Sequence, residues 1–168
     1  MKYFLLMTTL SLSCIGCTSG NEYQDALVGT WMCKSSIGSI VETRTYSTYE
    51  ADGGLTVYAI SEGIVSDESL AIERDITLGD KAIFRSDYQG QWSIDGALVT
   101  EHFRGEVKLK SLNDIAKKLE DRSIQELTQA FSDDTVASFQ FQILRADDTQ
   151  MKIRRIVGGK IDVCTKTN

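Results

Sequence analysis

The sequence predicts a mainly β protein, an antiparallel barrel of about eight strands with one late α-helix. Three observations carry that expectation. Runs of β-branched and aromatic residues recur along most of the chain, tight-turn signals separate them, and helical spacing is clear only after residue 111. Closure is expected over an open sheet because it removes exposed edges.

Taken in order, Leu27-Val28-Gly29-Thr30-Trp31-Met32-Cys33 is apolar and β-prone, and residues 40–49 are rich in β-branched and aromatic residues. Both read as strands. Asp52-Gly53 then predicts a type I′ hairpin into Gly54–Ile60, and Asp95-Gly96 predicts the same turn between Ala82–Ile94 and Ala97–Lys108. An aromatic residue precedes each Asp-Gly by three, Tyr49 in one case and Trp92 in the other, a weak internal echo. Residues 66–78 hold both a capping signal, Ser66-Asp67-Glu68-Ser69, and a partial alternation from Leu70 to Leu78; the alternation predicts a strand. Ser111 is expected to cap a helix whose apolar face is Leu112, Ile115, Ala116 and Leu119, with a second capping box at Ser123-Ile124-Gln125-Glu126. Phe139, Phe141 and Ile143 alternate with polar residues, Asp147-Asp148 turns into Met151–Val157, and Gly158-Gly159 turns into a last strand ending at Cys164.

The 168 residues suffice for one domain with a real core. Eighteen basic against 24 acidic side chains give a net charge of −6. With a pI near 4.8 the chain presents no footprint for phosphate backbones, so nucleic acid is not an expected partner.

Lys2 is the only charged residue before Glu22, and the apolar stretch after it is short and diluted by Thr and Ser. That is the layout of a cleaved signal peptide; a spanning helix needs about 20 predominantly apolar residues. Cys14-Ile15-Gly16-Cys17-Thr18 resembles the lipobox of bacterial lipoproteins. The resemblance implies a lipid on Cys17, with Cys14 as the alternative, and Thr18 after the cysteine implies sorting to the outer membrane. The chain then divides into a signal peptide at 1–16, a lipidated tether at 17–25 and the barrel domain at 26–168. Cysteine parity favours Cys17: Cys14 leaves with the signal, and Cys33 and Cys164 remain as a pair in an oxidising compartment. They lie on the first and last strands, which are neighbours in an up-and-down barrel, so a bridge between them would clamp the seam.

Gly29-Thr30-Trp31, Asp52-Gly53 and Gly90-Gln91-Trp92-Ser93-Ile94-Asp95-Gly96 together resemble the lipocalin-like barrels of small bacterial lipoproteins. The resemblance implies that Gly29 and Trp31 close one end of the barrel, with Arg154 or Arg155 supplying a cation over the Trp31 ring. It assigns no ligand-binding residue.

Chemistry has little to stand on. His102 is the only histidine, and alternation sends it and Glu101 to opposite faces. No nucleophile elbow, phosphate loop or zinc-protease motif is present, so no catalytic residue, metal or cofactor is expected. Asp133-Asp134-Thr135 and Asp147-Asp148-Thr149 read as turns, and the Lys117-Lys118 pair as a solvated helix face. The expected function is that of a non-enzymatic module anchored to the outer membrane through its N-terminal lipid, binding a small apolar ligand or a protein. The alternative is an envelope assembly factor, inhibitor or immunity protein that meets a basic partner. A third class, a hydrolase or isomerase using an interior carboxylate such as Glu101, has the least support.

Overall fold

The computed structural model describes residues 23–37, 41–121 and 138–167. Eight strands run β1 (Gly29–Ile37), β2 (Val41–Tyr49), β3 (Gly54–Ile64), β4 (Lys81–Asp95), β5 (Leu98–Ser111), β6 (Ser138–Ala146), β7 (Gln150–Arg155) and β8 (Ile161–Thr167). Each pairs antiparallel with the next, and β1 pairs with β8, so the sheet closes as an up-and-down barrel. The expected architecture is the observed one.

Period-two alternation decides what faces inward. Trp31, Tyr49, Leu55, Val57, Trp92, Val99, Phe141, Ile143, Met151, Ile153 and Cys164 form one continuous core cluster. They share register levels near the start of β1, so they fill one end of the barrel. A single helical turn, α1 (Gln24–Leu27), lies beneath them, and Trp31 Nε1 donates to Leu27 O at 2.8 Å. The bond satisfies the indole where the ring is fully buried. The cation over this ring is Lys166, whose Nζ lies 5.2 Å from its centroid. Neither arginine expected there supplies it: Arg154 points outward, and Arg155 pairs with Asp162. Gly29 has φ +120, and a Cβ there would stand 2.8 Å from Lys166 Cε, so both backbone and space call for glycine.

At the other end, Val65, Ala71, Ala82, Ala116 and Leu119 form a second cluster, made by two helices over the ends of β3 and β4. One is α2 (Glu68–Arg74), where the alternation had predicted a strand. Asp67 caps it by accepting from Leu70 N at 3.0 Å, and Asp75 ends it in the left-handed conformation. The capping signal prevails because Ala71 packs inward with Leu70 beside it, while Ile72, which alternation would pair with Leu70, stays 76% exposed. The late helix, α3, is described at 114–121. Its cap is Asn113 and not Ser111, which ends β5 and donates instead to Glu120. Asn113 Oδ1 accepts from Ala116 N at 2.9 Å and Ile83 N at 3.2 Å, while Nδ2 donates to Lys81 O at 2.7 Å, so one side chain starts the helix and ties it to β4. Lys118 Nζ donates to Asp75 O, joining the two helices. The second capping box, at Ser123, lies outside the described residues.

The turns also differ from expectation in type. A type I′ turn needs positive φ at both central residues, and Asp75 is the only such non-glycine among the described residues. Asp95 stays in β4 opposite Leu98, leaving Gly96-Ala97 as the loop with Gly96 at φ +57 in its first position, where a type II′ turn takes glycine. The echo around Tyr49 and Trp92 has a packing consequence. Their rings meet edge to face at 5.8 Å, and Trp92 Nε1 donates to Glu50 O at 3.0 Å.

Candidate functional site, a parted seam above the disulfide

Above the apolar cluster the inward positions turn polar. Glu101 sits opposite Trp92 on β5, inside the barrel and 8% exposed. Tyr49 OH donates to its carboxylate. Burial pushes the Glu101 pKa up to about 7, against the opposing pull of the Tyr49 bond and the Arg155 charge. The Tyr49 hydroxyl is pushed well above its ordinary value by burial first, then by the Glu101 charge and bond, with Ser47 pulling the other way. Arg155, inward on β7 after Met151 and Ile153, donates from Nε to Asp162 Oδ2 at 2.6 Å. The Asp162 side chain is 2% exposed, and Lys160 Nζ stands 3.9 Å from its other oxygen. A line of polar groups therefore leads from the middle of the barrel toward β8.

That line ends at an opening. β1 and β8 are laddered over Thr30–Cys33 against Thr167–Cys164, and there the pairing stops. Cys33 and Cys164 occupy the last rung and are joined by a disulfide, with Cα atoms 4.2 Å apart. This short separation is that of a non-hydrogen-bonded antiparallel rung. Main-chain groups alternate sides along a strand, so those of Lys34 and Ser36 on β1, and of Ile161 and Val163 on β8, point across the seam. Beyond the bonds that flank the Cys33–Cys164 pair no further rung follows among the described residues, and Ser36 O is met by the Lys160 side chain at 2.9 Å. A cleft of about 620 Å³ occupies the gap, lined by Lys34–Ser36, Glu42–Arg44 and Lys160–Val163. Its size falls in the ordinary range for ligand sites, roughly 300–1,000 Å³.

Charge in the cleft is uneven. Arg44 is held by Glu62 at 2.8 Å, and Asp162 by Arg155. Lys160 shares Asp162 with Arg155, so with Lys34 and Glu42 counted the surroundings of the cleft keep a small positive excess on a chain of net charge −6. Such a lining suits a negatively charged or polar ligand. Its residues hold no histidine or cysteine, and among the described residues no group of three His, Cys, Asp or Glu side chains is placed to hold a metal.

The other residues singled out by sequence fall as follows. Cys14, Cys17 and Asp133-Asp134-Thr135 lie outside the described residues, and the boundaries of signal and tether with them. His102 stands opposite Gln91 on the outward face, away from Glu101. Asp147 closes its turn by accepting from Thr149 N at 2.9 Å and Gln150 N at 2.8 Å. Lys117 pairs with Asp114 at 3.1 Å on the exposed side of α3. Sequence reading missed the cleft. Its one signal was that Asp162, two before Cys164, shares that residue's inward face.

No family model matches the chain, and no curated protein matches it. Among solved structures it is similar to a lipocalin-like protein from Bacteroides uniformis ATCC 8492, at 11% identity and a TM-score of 0.40 over 84% of this chain and 99% of that one. It is similar also to an uncharacterized protein from Bacteroides eggerthii DSM 20697, at 11% identity and a TM-score of 0.41, with the same coverage. Likenesses this distant bear on neither ligand nor role, and the barrel stands on its own strand register.

Proposed function

We propose that this protein is a non-enzymatic binding module, held at the outer membrane by lipid on Cys17, or on Cys14, whose ligand enters the parted seam between β1 and β8. The observation that carries the reading is the 620 Å³ cleft directly above the Cys33–Cys164 bridge. Because Trp31, Trp92, Tyr49 and Phe141 already fill the closed end, the reading places the ligand at the seam. Because Lys34 and Lys160 flank that seam, the ligand is polar and carries negative charge, which replaces the apolar ligand expected from sequence. Glu101 serves this module as a buried structural acid, engaged by Tyr49.

Native mass spectrometry on the protein extracted from membranes of the producing cell tests both halves. The expected spectrum shows an acyl-bearing chain with a further bound mass, and the Lys34→Glu/Lys160→Glu variant loses that mass while keeping the acyl group. A bound mass retained by the variant, or absent from both, overturns the ligand site. A chain without acyl groups overturns the anchor.

A further inference from the structure

We infer that the outward face of the β7–β8 hairpin is a membrane-docking surface, which lays the barrel wall on an anionic bilayer. The inference goes beyond the cleft reading and requires no lipid on Cys17 or Cys14.

Positive charge and apolar exposure coincide on this face. Nine large hydrophobic side chains are exposed among the described residues, and four of them, Ile156, Val157, Ile161 and Val163, fall within eight positions. Alternation accounts for the two on β8: Asp162 and Cys164 turn inward, so Ile161 and Val163 stand on the wall, 46% and 53% exposed. Register sets Arg154 beside Ile161 and Lys152 beside Val163, on the same outward side. Val157 lies at the hairpin tip, past the last rung, and is 89% exposed. Between Gln150 and Val163 the only acid is Asp162, which is buried and already met by Arg155 and Lys160. Lys152 and Arg154 form no ion pair among the described residues. A chain of net charge −6 therefore carries a stretch of wall on which cations alone alternate with branched apolar side chains.

That mixture matches the boundary of an anionic bilayer, where headgroups meet the ammonium and guanidinium groups while apolar side chains sink toward the acyl region. The wall of a closed barrel is convex, so it offers a guest protein no groove, whereas a bilayer conforms to it. A second copy across a two-fold axis would bring Lys152 and Arg154 against their own equivalents, like charges that repel. The cleft opens at the border of this face, because Ile161 and Val163 line both, so the docked barrel holds its seam against the headgroups.

The test uses the chain from Thr18 onward, which holds the whole closed barrel and neither the apolar opening segment nor Cys14 and Cys17, so no other anchor contributes. Vesicles of equal parts phosphatidylglycerol and phosphatidylcholine are compared with phosphatidylcholine alone. Co-sedimentation is expected with the mixed vesicles only. A basic residue near such a surface is worth roughly fivefold in affinity, so Lys152→Glu/Arg154→Glu should bind at least about tenfold more weakly, and added salt should weaken the parent chain. Brominated acyl chains locate the contact: Trp31 and Trp92 are buried, so the exposed indole of Val157→Trp is expected to be quenched while the parent chain is not. No binding, equal binding to both vesicles, undiminished binding by the double variant, or binding without quenching at position 157 overturns the docking surface. A dimer in sedimentation velocity without vesicles, abolished by Val163→Asp, assigns the face to a second copy and overturns it too. Lys152 and Arg154 are exposed, and a circular dichroism spectrum matching the parent shows that the double variant folds; should it not, the two vesicle compositions and the quenching still decide. The cleft is judged separately, by the bound mass in the membrane-extracted protein and its loss in Lys34→Glu/Lys160→Glu.

Discussion

The bridge between Cys33 and Cys164 is expected to carry a large share of the stability. Replacing both cysteines with alanine removes it without burying a hydroxyl at Cys164, which is fully buried. The bridged residues lie 131 apart in sequence, and the loop-entropy relation gives about 5 kcal/mol for a closed loop of that length. Residual structure in the denatured chain lowers the expectation toward about 2 kcal/mol. The ladder offers little to compensate, because β1 and β8 share only the rungs from Thr30 to Cys33. With a urea m-value of about 2 kcal/mol/M for a domain this size, the midpoint should fall by about 1–2.5 M. Reduction of the wild-type protein should reproduce that fall, and m should stay unchanged if the denatured chain remains equally open. A drop under about 0.5 M in the double variant would refute the view that the seam depends on its bridge, since the remaining rungs would then hold the barrel unaided.

Two further outcomes follow from the interior. The raised pKa of Glu101 means that the folded state binds a proton more tightly than the unfolded chain, so this group's contribution to stability should decline from about pH 4.5 to about pH 7 and then level off, a loss of up to about 3 kcal/mol. Glu101→Gln should flatten that slope and be more stable than wild type at pH 8, which urea melts at pH 5 and pH 8 would check; parallel slopes in the two proteins would count against it. A Cβ at Gly90 would lie 2.1 Å from His102 O, so Gly90→Ala must displace β5 from β4 and should cost about 1–3 kcal/mol or more, visible as a lowered thermal midpoint.

Much of the fold was legible because it rests on short-range signals. Alternation placed Phe141 and Ile143 inward, and the glycine-bearing turns at Asp52-Gly53, Asp95-Gly96 and Gly158-Gly159 fall between successive strands. Where two local signals competed, sequence alone chose less well. Leu70–Leu78 alternates in part, yet Asp67 caps a helix there because α2 has a partner in α3, which no local window contains. The same long-range pairing moved the α3 cap from Ser111 to Asn113, whose amide also bonds across to Lys81 and Ile83. The cation over Trp31 was sought on β7 because an arginine was expected, and register placed Lys166 there instead. The candidate site was the least legible part. It is defined by a β1–β8 ladder that gains no rung beyond Cys33–Cys164, and a missing pairing leaves no residue signature.

Closure between β1 and β8 has one more consequence. Thr167 Oγ1 reaches Thr30 O at 3.3 Å, and Lys166 lies beside Ala26, so the described chain enters and leaves the barrel at one end, side by side. The order of strands around the cylinder therefore does not depend on where synthesis starts. A linker of a few residues from position 167 to position 23, with new ends cut at the exposed Gly96 loop, would give a circular permutant with the same neighbours throughout.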